Sequence, residues 1–334
     1  MITKNTIIII ILVLCYLLFS TTVMNNRFGC EFKHILYTTM LDYELNQEKY
    51  KVFNPSITKT DEGYIICFRY SNSISKNIYL WLTSKLNSNS HIAIAKLSPS
   101  FKIKNLKILD IKGPPLEDPR IEYYNGKYYI SITEFKKIRY IFPCLYVLDN
   151  NFNVLQRIEY NKLDYFGEKL VYKSKFIEKN WCPFTRGKDL LLHTDTFPVW
   201  KVFSLGNTGS MNQITSFDSR KFFKFVRQPH IRCSTSWKSF TKKTYICGIH
   251  TKQYSGVFST IRTILVEIDK ITLLPIRSTD VFCIDNNDSR IQFLSGLETD
   301  DIFVYLAFGI GDYKTKIIRL SKKYVSNLLD FKTT

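Results

Sequence analysis

From about residue 48 onward the apolar residues fall into short blocks set apart by Gly, Asn, Asp, Lys and Ser. The blocks are GYIICFRYS from Gly63, HIAIAKLS from His91, KYYISITEF from Lys127, CLYVLDN from Cys144 and DLLLHTDTF from Asp189. TYICGIHTK from Thr244, RTILVEIDK from Arg262, IFVYLAFGIGD from Ile302 and KTKIIRLS from Lys314 continue the series. Runs of this length, rich in β-branched and aromatic residues and bounded by turn formers, predict β-strands. A sustained helical period is missing, and the one predicted helix is short and terminal, near Lys322 to Asp330.

A repeat emerges when each short motif is lined up with the strand that follows it. FNPSI precedes a strand opening at Gly63, LEDPRI one at Gly126, and EKNWCPF one at Gly187. IRCSTSW precedes an opening near Lys243, and LSGLE one near Asp300; the openings are spaced by 63, 61, 56 and 57 residues. A unit of about sixty residues holds four short strands and their turns, the size of a propeller blade. The predicted fold is therefore all-β, a five-bladed β-propeller over residues 29–334. In such a fold the first strand of each blade lines the central funnel, so Asn54, Asp118, Lys179, Arg232 and Glu298 are expected to converge on one pocket.

The N-terminus breaks the pattern. Residues 7–19 are unbroken apolar and no charge occurs between Lys4 and Met24. About eighteen such residues span about 27 Å as a helix, enough for a thin bilayer. Ser20-Thr21-Thr22 makes a poor small-residue cleavage site. Residues 1–28 are expected to form an uncleaved transmembrane signal anchor, with Lys4 on the cytosolic side and the propeller lumenal or extracellular. Cleavage would instead yield a secreted protein.

Composition adjusts this picture in a few places. Hydrophobic residues make up 45% and aromatics 15%, which excludes disorder over most of the length. The balance of 47 Lys+Arg over 29 Asp+Glu leaves +18, a surplus that ordinarily points to nucleic acid or an anionic surface. Here it accompanies crowding by Ile, Lys and Asn and only three alanines (Ala93, Ala95, Ala307). The lysines are read as a solvated surface, and no nucleic-acid partner is expected. Of the eight cysteines, Cys15 lies in the apolar segment and none of the others forms a C-x-x-C pair, so no zinc site is written. Cys67 and Cys247 sit in strand blocks as buried thiols; a lumenal setting would permit one or two disulfides and glycosylation at Asn287.

The sequence lacks the glycine-rich nucleotide loops, the nucleophile elbow, the zinc-protease motif and the metal-binding D-x-D triplet. No metal and no organic cofactor are expected. Asp118, in EDPR, stands before a proline that fixes the backbone, between Glu117 and Arg120, which can tune it. Read alone, EDPR could equally be a capped turn. Arg69, Lys179 and His193 are candidate anion ligands, although a lone histidine on an apolar strand is often a core residue. Trp181 and Trp237 could stack on sugar rings or fill the core. Glu298 and Asp312 offer carboxylates for gripping hydroxyls, or close turns.

These motifs together resemble the β-mannoside phosphorylases and the related mannosyltransferase/phosphorylases, a family of five-bladed propeller enzymes. FNPSI with the following FR (Asn54, Pro55, Arg69) carries the resemblance, with EDPRI (Glu117, Asp118, Pro119, Arg120), KNW followed by LLLH (Lys179, Asn180, Trp181, His193) and FG-GD (Gly309, Gly311, Asp312). The resemblance implies an inverting mannosyl transfer with Asp118 as proton donor. It implies a phosphate or donor site at Arg69, Lys179 and His193, with Arg120 beside them. Sugar contacts are implied at Asn54 and Asp312, and Glu117, Asn180, Trp181, Arg232 and Glu298 are candidates to extend that set. Inorganic phosphate, a sugar phosphate or a nucleotide sugar would be the co-substrate, and an oligosaccharide or glycan the partner. The sequence departs from the family where a further phosphate-binding arginine is expected in the second blade, and where IRCSTSW replaces a glycine-rich stretch. The other readings are a non-catalytic glycan-binding propeller, and a glycoside hydrolase in which Glu298 or Asp312 activates water.

Overall fold

The computed structural model describes residues 11–12, 37–40, 51–72, 89–137, 140–161, 164–165, 176–224, 230–255, 258–284 and 291–330. Its strands form five antiparallel sheets in chain order. The first holds β2 (Lys51–Thr60), β3 (Gly63–Ser71), β4 (Ser90–Leu97) and β5 (Ile103–Ile108). The second holds β6 (Leu116–Tyr124), β7 (Lys127–Lys137), β8 (Tyr140–Leu148) and β9 (Val154–Glu159), with β10 (Phe176–Ile177) parallel to β8. The third runs β11 (Cys182–Arg186), β12 (Asp189–Asp195), β13 (Val199–Leu205) and β14 (Met211–Asp218). In the fourth, the innermost strand is split into β15 (Ile231–Cys233) and β16 (Lys238–Ser239), followed by β17 (Thr244–Ser255), β18 (Phe258–Asp269) and β19 (Pro275–Ser278).

The fifth sheet, β20 (Gln292–Thr299), β21 (Phe303–Ile310) and β22 (Lys314–Ser321), is completed by β1 (Tyr37–Met40) from the start of the chain. Joining the start of the chain to the last blade closes the circle, with β1 as the outermost strand of that sheet. The short helix α1 (Lys322–Asp330) follows, where the sequence predicts it. The five-bladed all-β expectation and the unit spacing both hold: the second strands start within a few residues of the expected openings.

Five apolar clusters stabilise the ring, one at each junction between neighbouring blades. Val52, Ile66 and Ala95 of the first blade pack on Tyr305 and Ile317 of the fifth, and Leu145 of the second packs on Trp181 and Leu192 of the third. The strand blocks are apolar on both faces for this reason, since both faces of each blade meet a neighbour. Hydrogen bonds stitch the last blade to the first: Ser295 donates to Pro55 O at 2.8 Å and Thr315 to Val52 O at 3.2 Å.

The apolar N-terminal segment lies outside the described residues apart from Ile11 and Leu12, and among the described residues no helix is long and apolar enough to cross a membrane. Asn287 also lies outside them, as do Cys15 and Cys30. The six described cysteines are all buried and none is joined to another, so the disulfides the sequence permitted do not form among them.

Candidate active site

The innermost strand of each blade carries an irregularity at one end of the central channel. The register slips between Phe53 and Ser56, between Glu117 and Arg120, and between Leu294 and Gly296. In the third blade the chain turns at Asn180 just before β11, and in the fourth it bends between β15 and β16. Asn54, Asp118 and Asn180 take left-handed backbone conformations there, with φ of 51°, 50° and 63°. Asn and Asp tolerate this region better than other side chains, and the bulges redirect those side chains out of the ladder. The motifs FNP, EDP and KNW therefore mark one structural event repeated in successive blades.

These bends bring together a buried charged cluster. Asn54 donates its side-chain amide to Asp118 Oδ1 at 2.8 Å, and Asp118 is 9% exposed. Arg69 reaches Glu117 at 2.8 Å, and Lys179 reaches the other oxygen of the same carboxylate at 3.4 Å. Arg120, wholly buried, donates to Pro119 O at 2.8 Å and to Asn180 Oδ1 at 3.2 Å, and lies over the Phe293 ring. Gly309 makes room for Asn54: a Cβ there would stand 2.0 Å from Asn54 Oδ1 and 2.8 Å from its backbone nitrogen. Asp312, in the turn after β21, couples to Arg69, Asp118, Glu117 and Lys252.

The two facing carboxyls differ. Burial pulls the Asp118 carboxyl upward, but Arg69, Arg120, Lys179 and the Asn54 hydrogen bond prevail and hold it below the usual range. Asp312 is pushed up to about 6 by burial, with Asp118 and Glu117 adding to the shift against Arg69 and Lys252. Among these neighbours Asp118 is charged, and Asp312 keeps its proton to mildly acidic pH. Burial opposes the charge on Arg69, yet Glu117, Asp118 and Asp312 hold its guanidinium above its ordinary value.

Of the residues singled out in the sequence, Asn54, Arg69, Glu117, Asp118, Arg120, Lys179, Asn180 and Asp312 are linked by these contacts. Five others are placed differently. Glu298 lies toward the opposite end of its strand, 3.2 Å from Lys238, because the bulge at Ser295, three residues earlier, is what corresponds to Asn54. Arg232 is exposed beside β17. Trp181 is wholly buried against Phe142, Tyr160 and Tyr165, and Trp237 stacks on Phe184 at 4.0 Å; neither offers a platform for a sugar. His193 is wholly buried between Trp200 and Trp237 and accepts a hydrogen bond from the Trp237 indole at 3.2 Å. Burial lowers its pKa to about 3, so it is a neutral core histidine.

The sequence reading overlooked Ser90, which takes a 3.1 Å hydrogen bond from Arg69 Nε and donates to Leu116 O at 2.6 Å, fixing the arginine from behind. His250 is also new: it meets Ser234 Oγ at 2.7 Å, and burial with help from Arg232 and Arg120 keeps it neutral, with a pKa near about 3. The recurrence of His-Thr in LLLHT and CGIHT was its available signal. No cluster of potential metal ligands occurs among the described residues.

No family model matches the sequence, and no curated protein matches it. Solved structures do share its architecture. The β-1,2-mannobiose phosphorylase of Listeria innocua aligns over 88% of this chain and 97% of its own at 10% identity, with a TM-score of 0.60. A mannose phosphorylase of Leishmania mexicana, solved with a phosphate ion, aligns over 90% and 95% at 11% identity and 0.57. The fold is that of the mannoside phosphorylases. A glycosyl hydrolase of Bacteroides ovatus shares it too, over 82% of this chain and 85% of its own at 13% identity and 0.60. The shared feature is the five-bladed propeller, the architecture implied by the motif resemblance.

Proposed function

We propose that the protein is a glycoside-active enzyme that transfers mannosyl units of β-mannosides with inversion, using Asp118 as proton donor. The observation that carries this reading is the placement of Asp118 at a left-handed bulge, hydrogen-bonded to Asn54 and set among Arg69, Arg120 and Lys179. In the proposed step a phosphate oxygen attacks the anomeric carbon as the glycosidic C–O bond breaks, and the Asp118 proton passes to the departing oxygen. The products are a sugar phosphate and a shortened glycan; the reverse direction lengthens a glycan and releases phosphate. An anion bound near Arg69 and Lys179 cancels the charges that keep Asp118 ionised, raising its pKa and arming it as an acid. A nucleotide sugar would use the same cations for its diphosphate. The apolar N-terminal run supports anchorage of such an enzyme to a membrane.

Hydrolysis is the second reading, favoured by Asp312, a second carboxyl coupled to Asp118 in the same pocket. The test is to supply a β-mannoside with inorganic phosphate in oxygen-18 water and identify products by mass spectrometry. Mannose 1-phosphate without the label supports phosphorolysis, whereas labelled free mannose makes the protein a hydrolase. Release of GDP from GDP-mannose would make it a nucleotide-sugar transferase. A folded protein that yields no product with any donor sinks the enzymatic reading.

A further inference from the structure

Glu117 stands out in the pocket because its single carboxylate contacts both candidate anion-binding cations. Its Oε1 is 2.8 Å from Arg69 Nη2 and its Oε2 is 3.4 Å from Lys179 Nζ; the three side chains are only 17%, 14% and 30% exposed. Each cation has further support that leaves it facing this carboxylate. Arg69 is held at Nε by Ser90 and lies 5.1 Å from the centre of the Phe53 ring. Lys179 lies 5.0 Å from the centre of the Phe135 ring. Arg69 belongs to the first blade, Glu117 to the second and Lys179 to the loop entering the third, so the carboxylate spans a seam between three blades.

We infer that Glu117 is a positioning residue, an internal counter-anion that yokes Arg69 to Lys179 and sets the site an incoming phosphate group must occupy. This role rests on the reading of the pocket as a phosphate-using site, and it replaces the sugar contact assigned to Glu117 from the sequence. Two cations drawn to one carboxylate are held at a fixed spacing while the pocket is empty, which reduces the reorganisation needed when the anion arrives. The same carboxylate opposes the arriving anion, so affinity is restrained while geometry is kept. Its removal should therefore split the two effects: a phosphate group binds more tightly between the freed cations, but in a less productive position.

The test compares the wild-type protein with Glu117→Gln and Glu117→Asp. Calorimetric binding of inorganic phosphate and, separately, of mannose 1-phosphate is measured alongside steady-state turnover. Glu117→Gln should tighten phosphate binding and lower its KM, each about tenfold, while kcat falls by a similar factor and the KM for the mannoside is unchanged. Glu117→Asp keeps the charge but shortens the reach; it should leave phosphate affinity near wild type and still lower kcat. Tightening for inorganic phosphate alone makes the free anion the occupant, and tightening for mannose 1-phosphate alone makes it the sugar phosphate. Unchanged or weaker binding of both inorganic phosphate and mannose 1-phosphate in Glu117→Gln overturns the inference, as does a rise in the KM for the mannoside alone, which would restore the sugar contact. If Glu117→Gln does not fold, an unchanged kcat in Glu117→Asp overturns it. Failure of the wild-type protein to bind either ligand would remove the phosphate-site reading itself, and this inference with it; binding by the wild type with no response in the variants removes this inference alone.

Discussion

The two ends of the central channel are built from the same five innermost strands, yet they do opposite things with charge. At one end lie Asn54, Asp118 and Asn180 on left-handed bends, surrounded by cations. About four residues further along each strand, Thr58, Glu122, Thr185, Lys238 and Glu298 form a second ring. Lys238 contacts Glu122 at 2.8 Å, Glu298 at 3.2 Å and Thr58 at 3.2 Å, and Thr185 donates to Glu122 at 3.3 Å. Glu298 also accepts the backbone N–H groups of Lys59 and Thr299, each at 2.8 Å. Burial works against the charge on Lys238, but Glu122 and Glu298 hold it above its ordinary value. This second ring satisfies its own hydrogen bonds and ties all five blades together, whereas the Asp118 ring keeps strained backbone and opposed carboxyls. Strain and shifted ionisation concentrate where chemistry is proposed, and the self-satisfied ring closes the channel beneath it.

This contrast can be broken most severely at the closed end. Lys238→Met leaves Glu122 and Glu298 buried without their cation, so the fold should lose about 3–5 kcal/mol, read as a fall in denaturant midpoint. The activity of the molecules that remain folded should stay at the wild-type level. A stable variant would show that the ring is dispensable.

At the open end, Asp312→Asn sharpens the contrast. The folded pKa of about 6 exceeds the value near 3.9 expected in the unfolded chain. The folded state therefore binds the extra proton: the contribution of Asp312 to stability is greatest below about pH 4 and declines as pH rises through about 6. The loss is on the order of 2 kcal/mol at neutral pH, lessened by the partial exposure of the side chain. Asp312→Asn should remove that decline, as melting temperatures taken across this range will show; an identical slope in both proteins contradicts the assignment.

The smallest of these changes is Gly309→Ala. Its new methyl group must displace Asn54, costing about 1–2 kcal/mol of stability by overpacking. Loss of the Asn54 hydrogen bond should weaken mannoside binding by about tenfold, measurable by calorimetry. Unaltered affinity would detach Asn54 from the site.

Much of this was legible in the sequence because the repeat carries its own punctuation. Gly126 and Gly187, at positive φ in the hairpin turns, mark where each second strand begins, and the motif before each turn marks the channel end. The layer within the channel was harder to read. Glu298 was assigned to the Asp118 end because LSGLE offers a carboxylate, but the bulge falls at Ser295, and a displacement of a few residues along a strand moves a side chain from one ring to the other. His193 and Trp181 have residue types that suit ligands and cores alike, and only neighbours from other blades, such as Trp237 and Tyr165, decide between them. Ser90 left no signal, since a serine that supports an arginine from another strand looks like any other serine.

The most direct test of the division between the two ends is to measure turnover and thermal unfolding together for Asp118→Asn. The account predicts a protein that melts within a few degrees of wild type and has lost turnover by about a thousandfold or more. A variant that keeps its activity would contradict the assignment of Asp118, and with it the claim that the bent, cation-rich end is where the chemistry occurs.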